Sequence, residues 1–291
     1  MLLPRFEYRH ATSLAQATTL LAEHPDAQPL AGGTDLLVDL RERRRQPKLL
    51  VDVSELGELR GLAETDGRIE IGGGATVAEL LRAPIVARHL PGLHRAARDF
   101  ADYLTRNKAT LGGNLANASP GADLVVPLLA LDAEVVLAGT GGERRLALDQ
   151  FLQGPRRTAL QPGELVRVVG VRPGGWTQSW YKLGLKRGGA IAVVSVATSV
   201  RREADGRCAD ARIALGAVGP RPFRAVEAEA GLVGAPLDPA SVARAGALAA
   251  RAAQPISDVR GGADYRRAMV EALVIRGLTE AGHPSVPRGA G

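Results

Sequence analysis

The chain has 291 residues, of which 45% are hydrophobic, so it is long enough for one large domain or two to three smaller ones and too apolar for wholesale disorder. Its net charge of +6 favours anionic ligands or partners. The single cysteine, Cys208, excludes both an internal disulfide and an iron–sulfur cluster, which takes about four ligands. The five histidines are scattered, so no metal site is predicted.

The first fifty residues predict alternating helices and strands. Ser13 and Gln16 form a capping-box pattern at the start of the first helix, and Gly32-Gly33 break the chain between a strand and the next helix. The predicted elements are a helix from Ser13 to Pro25, a strand at 27–31, a helix at 34–43 and a strand at 48–56.

The middle of the chain alternates glycine-rich turns with apolar segments. Thr76 and Glu79 form a second capping-box pattern. The predicted elements are a strand from Arg68 into a run of three glycines, a helix at 76–83, a helix through 91–100, an apolar helix or coil at 123–132, and strands at 133–139 and 164–173.

Beyond Gly174-Gly175 the pattern changes to longer elements. The sequence predicts two strands at 190–203 and 208–220, followed by two amphipathic helices at 241–254 and 265–281. The amino-terminal segment has no continuous apolar run, and no segment has the length of a membrane-spanning helix. We therefore expect a cytoplasmic protein without membrane insertion.

Three glycine-rich turns are candidate ligand sites: 32–34, 72–74 and 112–114. Glycines let the backbone approach a bulky anion, and the N–H groups at the start of a following helix can face it. Taken singly, each turn is more commonly a structural corner. None of them is a phosphate-binding loop with Gly-Lys-Ser/Thr, and none has the Gly-x-Gly-x-x-Gly pattern of a Rossmann fold.

The segment 107–123, NKATLGGNLANASPGAD, is rich in small and polar residues. Its last part, NASPGAD at 117–123, is a poor core and a poor helix, so it predicts a loop that lines a ligand. Asp123 is equally compatible with a carboxylate at a helix start and with an acceptor for a ligand hydroxyl. Lys182 precedes an apolar strand, where a solvated side chain is the commoner outcome and a ligand contact is the alternative.

The arginine run 41–45 predicts a solvated helix end, with an acidic partner surface as the alternative. It has no interleaved aromatic residues, so nucleic-acid binding is not predicted. The sequence also lacks Gly-x-Ser-x-Gly, the turn that carries the nucleophile of many hydrolases. We identify no catalytic residue.

Three segments together resemble one family. They are LAGGTDLLVDLR, IGGGATVAEL and RNKATLGGNLANASPGADLVVPLLALDAEV, in this order and spacing. The resemblance is to the FAD-binding medium subunit of the molybdenum hydroxylases, such as xanthine dehydrogenase and carbon monoxide dehydrogenase, and it covers nearly the whole chain. One departure is 188–191, Gly-Gly-Ala-Ile, where most relatives have an aromatic or acidic pair.

The resemblance implies an α+β fold. It implies a PCMH-type FAD-binding region of two subdomains, at 1–56 and 57–174, and a C-terminal flavoprotein domain of a three-stranded sheet with helices at 175–291. It also implies non-covalently bound FAD. The implied FAD-binding residues are Pro29, Leu30, Ala31, Gly32, Gly33, Thr34, Asp35 and Leu36 at the pyrophosphate, Thr110, Gly112, Gly113, Asn114 and Asn117 in a second loop, and Phe100, Asp123, Leu165, Val166 and Lys182 elsewhere on the cofactor.

The same resemblance implies an FAD-dependent oxidoreductase subunit that works within a complex. It would take electrons from a small iron–sulfur subunit carrying 2Fe-2S clusters and pass them to NAD+, oxygen or another acceptor. A large subunit with a molybdenum-pterin cofactor would oxidise the substrate, and the complex would be a dimer of heterotrimers. Two alternatives stay open: a free-standing FAD-dependent oxidoreductase with its own substrate, and a basic RNA-binding scaffold.

Overall fold

The computed structural model describes residues 3–186 and 188–282. Its strands, numbered in chain order, are β1 (Glu7–His10), β2 (Ala27–Leu30), β3 (Leu49–Asp52), β4 (Leu62–Thr65), β5 (Arg68–Gly72), β6 (Glu134–Gly139), β7 (Gly142–Ala147), β8 (Leu152–Gly154), β9 (Arg157–Thr158), β10 (Leu165–Val171), β11 (Thr177–Gly184), β12 (Ala192–Arg202), β13 (Cys208–Gly216) and β14 (Phe223–Arg224). Its α-helices are α1 (Leu14–Glu23), α2 (Leu36–Arg41), α3 (Val77–Arg82), α4 (Pro84–His89), α5 (Pro91–Asp99), α6 (Tyr103–Arg106), α7 (Leu111–Asn117), α8 (Val125–Leu129), α9 (Leu148–Phe151), α10 (Val226–Ala230), α11 (Pro239–Ala252) and α12 (Ala263–Gly282).

The chain divides into two compact units, each built from three stretches of sequence. Unit 1 comprises residues 1–83, 101–119 and 132–172. Unit 2 comprises residues 84–100, 120–131 and 173–291. Among the described residues, no helix combines the length and the apolar character that crossing a bilayer requires.

Unit 1 contains a three-stranded parallel sheet in the order β1-β3-β2. All four residues of β3 are buried, as expected for the central strand of a parallel sheet that is covered on both faces. The predicted strands at 27–31 and 48–56 and the Ser13 helix cap are confirmed. β1 is an additional strand, whose polar sequence EYRH carried no strand signal.

A second sheet in unit 1 has five antiparallel strands in the order β4-β5-β10-β6-β7. β10 lies at its centre, and six of its seven residues are buried. The predicted strands at 133–139 and 164–173 are confirmed as β6 and β10. This sheet and helix α7 position the glycine-rich turn at 72–74 against the one at 112–114.

Unit 2 is built on a sheet in the order β11-β12-β13-β14. Nine consecutive residues of β12 are buried, and consecutive side chains point to opposite faces of a sheet, so both faces are covered. The apolar core joins these strands to α11 and α12, the two helices that the sequence predicts. The three long strands match the expected C-terminal domain, and β14 adds a strand of only two residues.

The loop predicted at 117–123 is confirmed beyond Asn117, whereas the glycine-rich turn predicted at 112–114 lies in a helix. Residues 111–117 form helix α7, and Thr110 caps it by accepting a hydrogen bond from the N–H of Gly113. The small residues serve close packing here: a side chain on Gly112 would lie 2.8 Å from the carbonyl oxygen of Gly73. Tertiary contact therefore overrides the weak helix propensity of this stretch.

Candidate functional site

The turn between β2 and α2 carries a row of free backbone donors. Gly33 has a φ of +70°, in the left-handed region that favours glycine. Among the described residues, the N–H groups of Gly32, Gly33, Thr34 and Asp35 donate to no acceptor. Gly32, Gly33 and Thr34 are half-buried, where N–H groups are normally paired, so this row of free donors at the start of a helix indicates an anion-binding surface.

The turn at 72–74 has a similar sequence and a different role. Its three N–H groups donate to the carbonyls of Gly61, Arg167 and Leu59, at 2.9, 2.8 and 2.6 Å. A Cβ on Gly73 would lie 2.0 Å from the carbonyl oxygen of Val166. These glycines therefore allow three backbones to pack closely, and they present no free donors to a ligand.

The glycine-rich turns at 32–34 and 112–114, called the first and the second turn from here on, lie against each other in unit 1. A Cβ on Gly32 would lie 1.8 Å from the carbonyl oxygen of Lys108, which directly precedes Ala109 and Thr110. We call the surface formed by residues 32–35 and 110–114 the cradle. Only a glycine fits at position 32, because the two backbones touch there.

The donors of the second turn are already used within the protein. The N–H groups of Leu111 and Gly112 donate to Ala75 and Gly73, at 2.8 and 2.7 Å. What remains is the side chain of Asn114, whose buried Oδ1 has no hydrogen-bond partner in the described part of the chain. The second turn therefore offers a side chain to a ligand, whereas the first turn offers its backbone.

The remaining candidate residues of unit 1 lie around these turns. Pro29 and Leu30 are the last residues of β2, and Leu36 begins α2. Leu165 belongs to the apolar cluster against which Ala31 packs. Val166 lies against Gly73, and Asn117 is the last residue of α7.

In unit 2 a buried ion pair joins Asp123 to Lys182. The Lys182 Nζ donates to Asp123 Oδ2 at 2.6 Å and also to the backbone carbonyl of Asp99, next to the half-buried Phe100. Burial raises the pKa of the Asp123 carboxyl to about 6, and Lys182 opposes that rise. The Asp123 Oδ1 is buried without a partner in the described residues, so the pair has one free acceptor.

The arginine run is more than a solvated helix end, which corrects that interpretation. Asp39 is only 2% exposed, and its carboxylate lies 2.8 Å from Arg44 and 3.3 Å from Arg45. Arg156, distant in sequence, also donates to it at 2.8 Å. Arg44 and Arg156 hold the pKa of Asp39 below its usual range, although burial alone would raise it. An acidic residue inside an apolar helix pattern was the signal that could have indicated this cluster.

Comparisons with known proteins agree over the whole chain. The sequence matches the family described as FAD binding domain in molybdopterin dehydrogenase over residues 4–171, and the family described as CO dehydrogenase flavoprotein C-terminal domain over residues 179–281. The glyceraldehyde dehydrogenase medium chain of Sulfolobus acidocaldarius is 32% identical over 95% of this chain and 98% of that protein.

Two further relatives support the same assignment. The carbon monoxide dehydrogenase medium chain of Hydrogenophaga pseudoflava is 34% identical over 97% of this chain and 98% of that protein. A crystal structure of the Cu,Mo-CO dehydrogenase in its cyanide-inactivated form has a chain that superposes with a TM-score of 0.94, at 34% identity, over 98% of this chain and 100% of that chain.

These matches define a flavin-binding protein of the oxidoreductase class. The chain belongs to the family of FAD-binding medium subunits of the molybdenum hydroxylases, which includes those of carbon monoxide dehydrogenase and xanthine dehydrogenase. The expected family and the α+β fold are therefore confirmed.

The residues of unit 1 fit the cofactor of this family. The pyrophosphate of FAD is an anion that only accepts hydrogen bonds, and residues 32–35 present four free donors. The unpartnered Asn114 Oδ1 is an acceptor suited to a hydroxyl or amino group. Positions 32 and 112 exclude side chains, because a Cβ at either would meet a neighbouring backbone carbonyl, and this lets the backbones pack closely.

Proposed function

We propose that the cradle binds FAD through residues of both turns. The observation that carries the proposal is the row of free N–H groups at 32–35, next to the unpartnered Asn114 Oδ1. We assign these N–H groups to the pyrophosphate. The proposed binding residues are those named above: Pro29 to Leu36, Thr110, Gly112, Gly113, Asn114, Asn117, Leu165 and Val166.

We further propose that Phe100, Asp123 and Lys182 contact the cofactor. The free Oδ1 of Asp123 suits a donor group of FAD, while Lys182 holds the other carboxylate oxygen and keeps the carboxylate oriented. Burial of this pair keeps water from competing for the carboxylate.

The subunit's role in a complex is a separate proposal. FAD would supply an electron relay, from a partner iron–sulfur subunit that is fed by substrate oxidation on a molybdenum subunit, to NAD+, oxygen or another acceptor. The sequence has one cysteine, so it does not supply the ligands of an iron–sulfur cluster, and this supports clusters on a partner. We propose a cytoplasmic dimer of heterotrimers. The substrate would be set by the molybdenum subunit.

Purification with and without co-expressed partners tests both proposals. The chain alone should show the visible absorption of oxidised flavin and release about one equivalent of FAD on denaturation. A colourless chain, with no flavin in the denatured supernatant, would overturn FAD binding. The free-standing oxidoreductase would be favoured by a different pair of results. The FAD of the chain would not be reduced by substrate in the presence of the partner subunits, and the chain alone would turn over a substrate of its own.

A further inference from the structure

Arg156 bonds to both elements that carry the cradle. It lies in the turn between β8 and β9, and its backbone N–H donates to the carbonyl oxygen of Ala118 at 3.0 Å. Its Nη1 donates to Asp39 Oδ2 at 2.8 Å. Ala118 ends α7, the helix that carries Asn114, and Asp39 lies on α2, the helix that follows the first turn. One residue thus links the supports of both turns.

Helix α2 in turn fixes the backbone of the first turn. The N–H of Leu37 donates to the carbonyl oxygen of Gly33, and the N–H of Asp39 donates to that of Asp35, both at 3.0 Å. The Gly33 carbonyl and the Thr34 N–H belong to one planar peptide, so a shift of α2 redirects that free donor. The position of Asp39 therefore controls the direction of the anion-binding groups.

Asp39 does not depend on Arg156 for its own pairing. Without Arg156, its buried carboxylate keeps Arg44 at 2.8 Å and Arg45 at 3.3 Å, both from the end of its own helix. Loss of the Arg156 side chain therefore does not leave the buried Asp39 carboxylate unpaired. An unpaired buried charge is what strongly destabilises a folded protein. What is lost is the connection between α2 and the β8–β9 turn.

We propose that Arg156 is a positioning residue that holds the two turns of the cradle in the geometry that binds FAD. This inference rests on the proposed FAD binding at the cradle. A preorganised site loses less conformational freedom when the ligand binds, so an intact link raises affinity without touching the ligand. The Arg156 side chain is 46% exposed, and solvent screening limits its contribution.

The test compares three variants of the full chain, with the FAD dissociation constant measured from flavin fluorescence on flavin-free protein. Arg156→Ala should weaken FAD binding by about three- to fivefold, the upper range for a partly exposed ion pair. Arg156→Lys keeps one donor for Asp39 and should recover most of the affinity. The matched control is Arg157→Ala, which removes the same charge from an exposed neighbour whose side chain has no hydrogen bond or ion pair among the described residues.

A double-mutant cycle with Asp39→Asn separates positioning from a general loss of stability. If the link acts as a unit, Asp39→Asn combined with Arg156→Ala should bind FAD no more weakly than the worse single variant. Additive losses would overturn the link. The thermal midpoint of the flavin-free proteins should change little between Arg156→Ala and Arg157→Ala.

Failure of the inference and failure of the proposed function give different results. A wild-type chain that binds no FAD would overturn the proposed function. A wild-type chain that binds FAD, with Arg156→Ala and Arg157→Ala equally affected or equally unaffected, would overturn the positioning role alone.

Discussion

Asn114 and Asp123 each bury an oxygen atom that has no hydrogen-bond partner among the described residues. An unpaired buried acceptor costs about 1–3 kcal/mol of stability. Such an atom lowers the stability of the flavin-free protein, because the chain offers it no hydrogen bond. It can strengthen ligand binding, because a ligand can supply the missing bond. Both residues are therefore sites where substitution separates binding from stability.

Replacing Asn114 with Leu should leave the flavin-free protein as stable as the wild type or more stable, since it removes an unpaired buried atom at similar volume. FAD binding should weaken, by about tenfold or more, because one hydrogen bond is lost. Thermal unfolding of the flavin-free protein and flavin titration measure the two effects. Unchanged FAD affinity would contradict the role assigned to Asn114.

The pH dependence of stability should reveal Asp123. Its pKa is raised to about 6 in the folded protein, so folding favours the protonated carboxyl. The stability it contributes is fully present below about pH 4 and is lost as the pH rises through about 6. Relative to Asp123→Asn, the wild-type chain should lose up to about 3 kcal/mol of unfolding free energy between pH 4 and pH 7. Urea denaturation of both proteins between pH 4 and pH 7 measures this loss. A difference in unfolding free energy between wild type and Asp123→Asn that does not change with pH would contradict the raised pKa of Asp123.

At the scale of elements, the three glycine-rich turns show how similar sequences take different roles. The turn at 32–34 leaves its donors free, the turn at 72–74 pairs them all, and at 112–114 the N–H groups donate to Gly73 and to Thr110. The distinction lies in which backbones approach each turn. The structural interpretation is therefore correct for 72–74, and the turns at 32–34 and 112–114 carry the proposed function.

Gly73→Ala should destabilise unit 1 by several kcal/mol, with or without FAD, because the new methyl group would lie 2.0 Å from the Val166 carbonyl oxygen. Gly141→Ala is the matched control, since a Cβ there meets nothing within 4 Å and its φ is outside the left-handed region. Chemical denaturation of both variants measures the difference. Equal stability of the two would contradict the packing role of Gly73.

The arginines at the end of α2 pair with a buried carboxylate on the same helix. Replacing Arg44 and Arg45 together with Ala leaves the buried Asp39 with Arg156 as its remaining partner. We expect a loss of about 1–2 kcal/mol, less than for a fully buried pair because both arginines are partly exposed. The control is Arg41→Ala with Arg43→Ala, at exposed positions of the same run. Identical unfolding free energies for the two double variants would restore the interpretation of a purely solvated run.

At the scale of the whole molecule, the chain is matched end to end by medium subunits of the family. These relatives include medium chains of a glyceraldehyde dehydrogenase and of a carbon monoxide dehydrogenase, so the shared fold serves enzymes with different substrates. This agrees with a division of labour in which the substrate is recognised elsewhere in the complex. The chain's own contribution is to bind and orient its cofactor.

The single thiol reports on the integrity of unit 2. Cys208 is fully buried on β13, and burial raises its pKa to about 11. A thiol that is neither exposed nor ionised does not react. An aromatic disulfide reagent should release no chromophore from the native chain and one equivalent in denaturant. Fast labelling of the native chain would contradict this packing.

The sequence by itself predicted most of the longer helices and strands, the helix caps at Ser13 and Thr76, and the family. These depend on periodicity, capping and motif spacing, which are properties of short segments. Only the tertiary structure decided that 111–117 is a helix, which glycine-rich turn keeps free donors, and that Asp39 pairs with Arg156. Each of these depends on which distant backbone or charge approaches a residue. Local sequence does not encode that approach, because it is set by the packing of the whole unit.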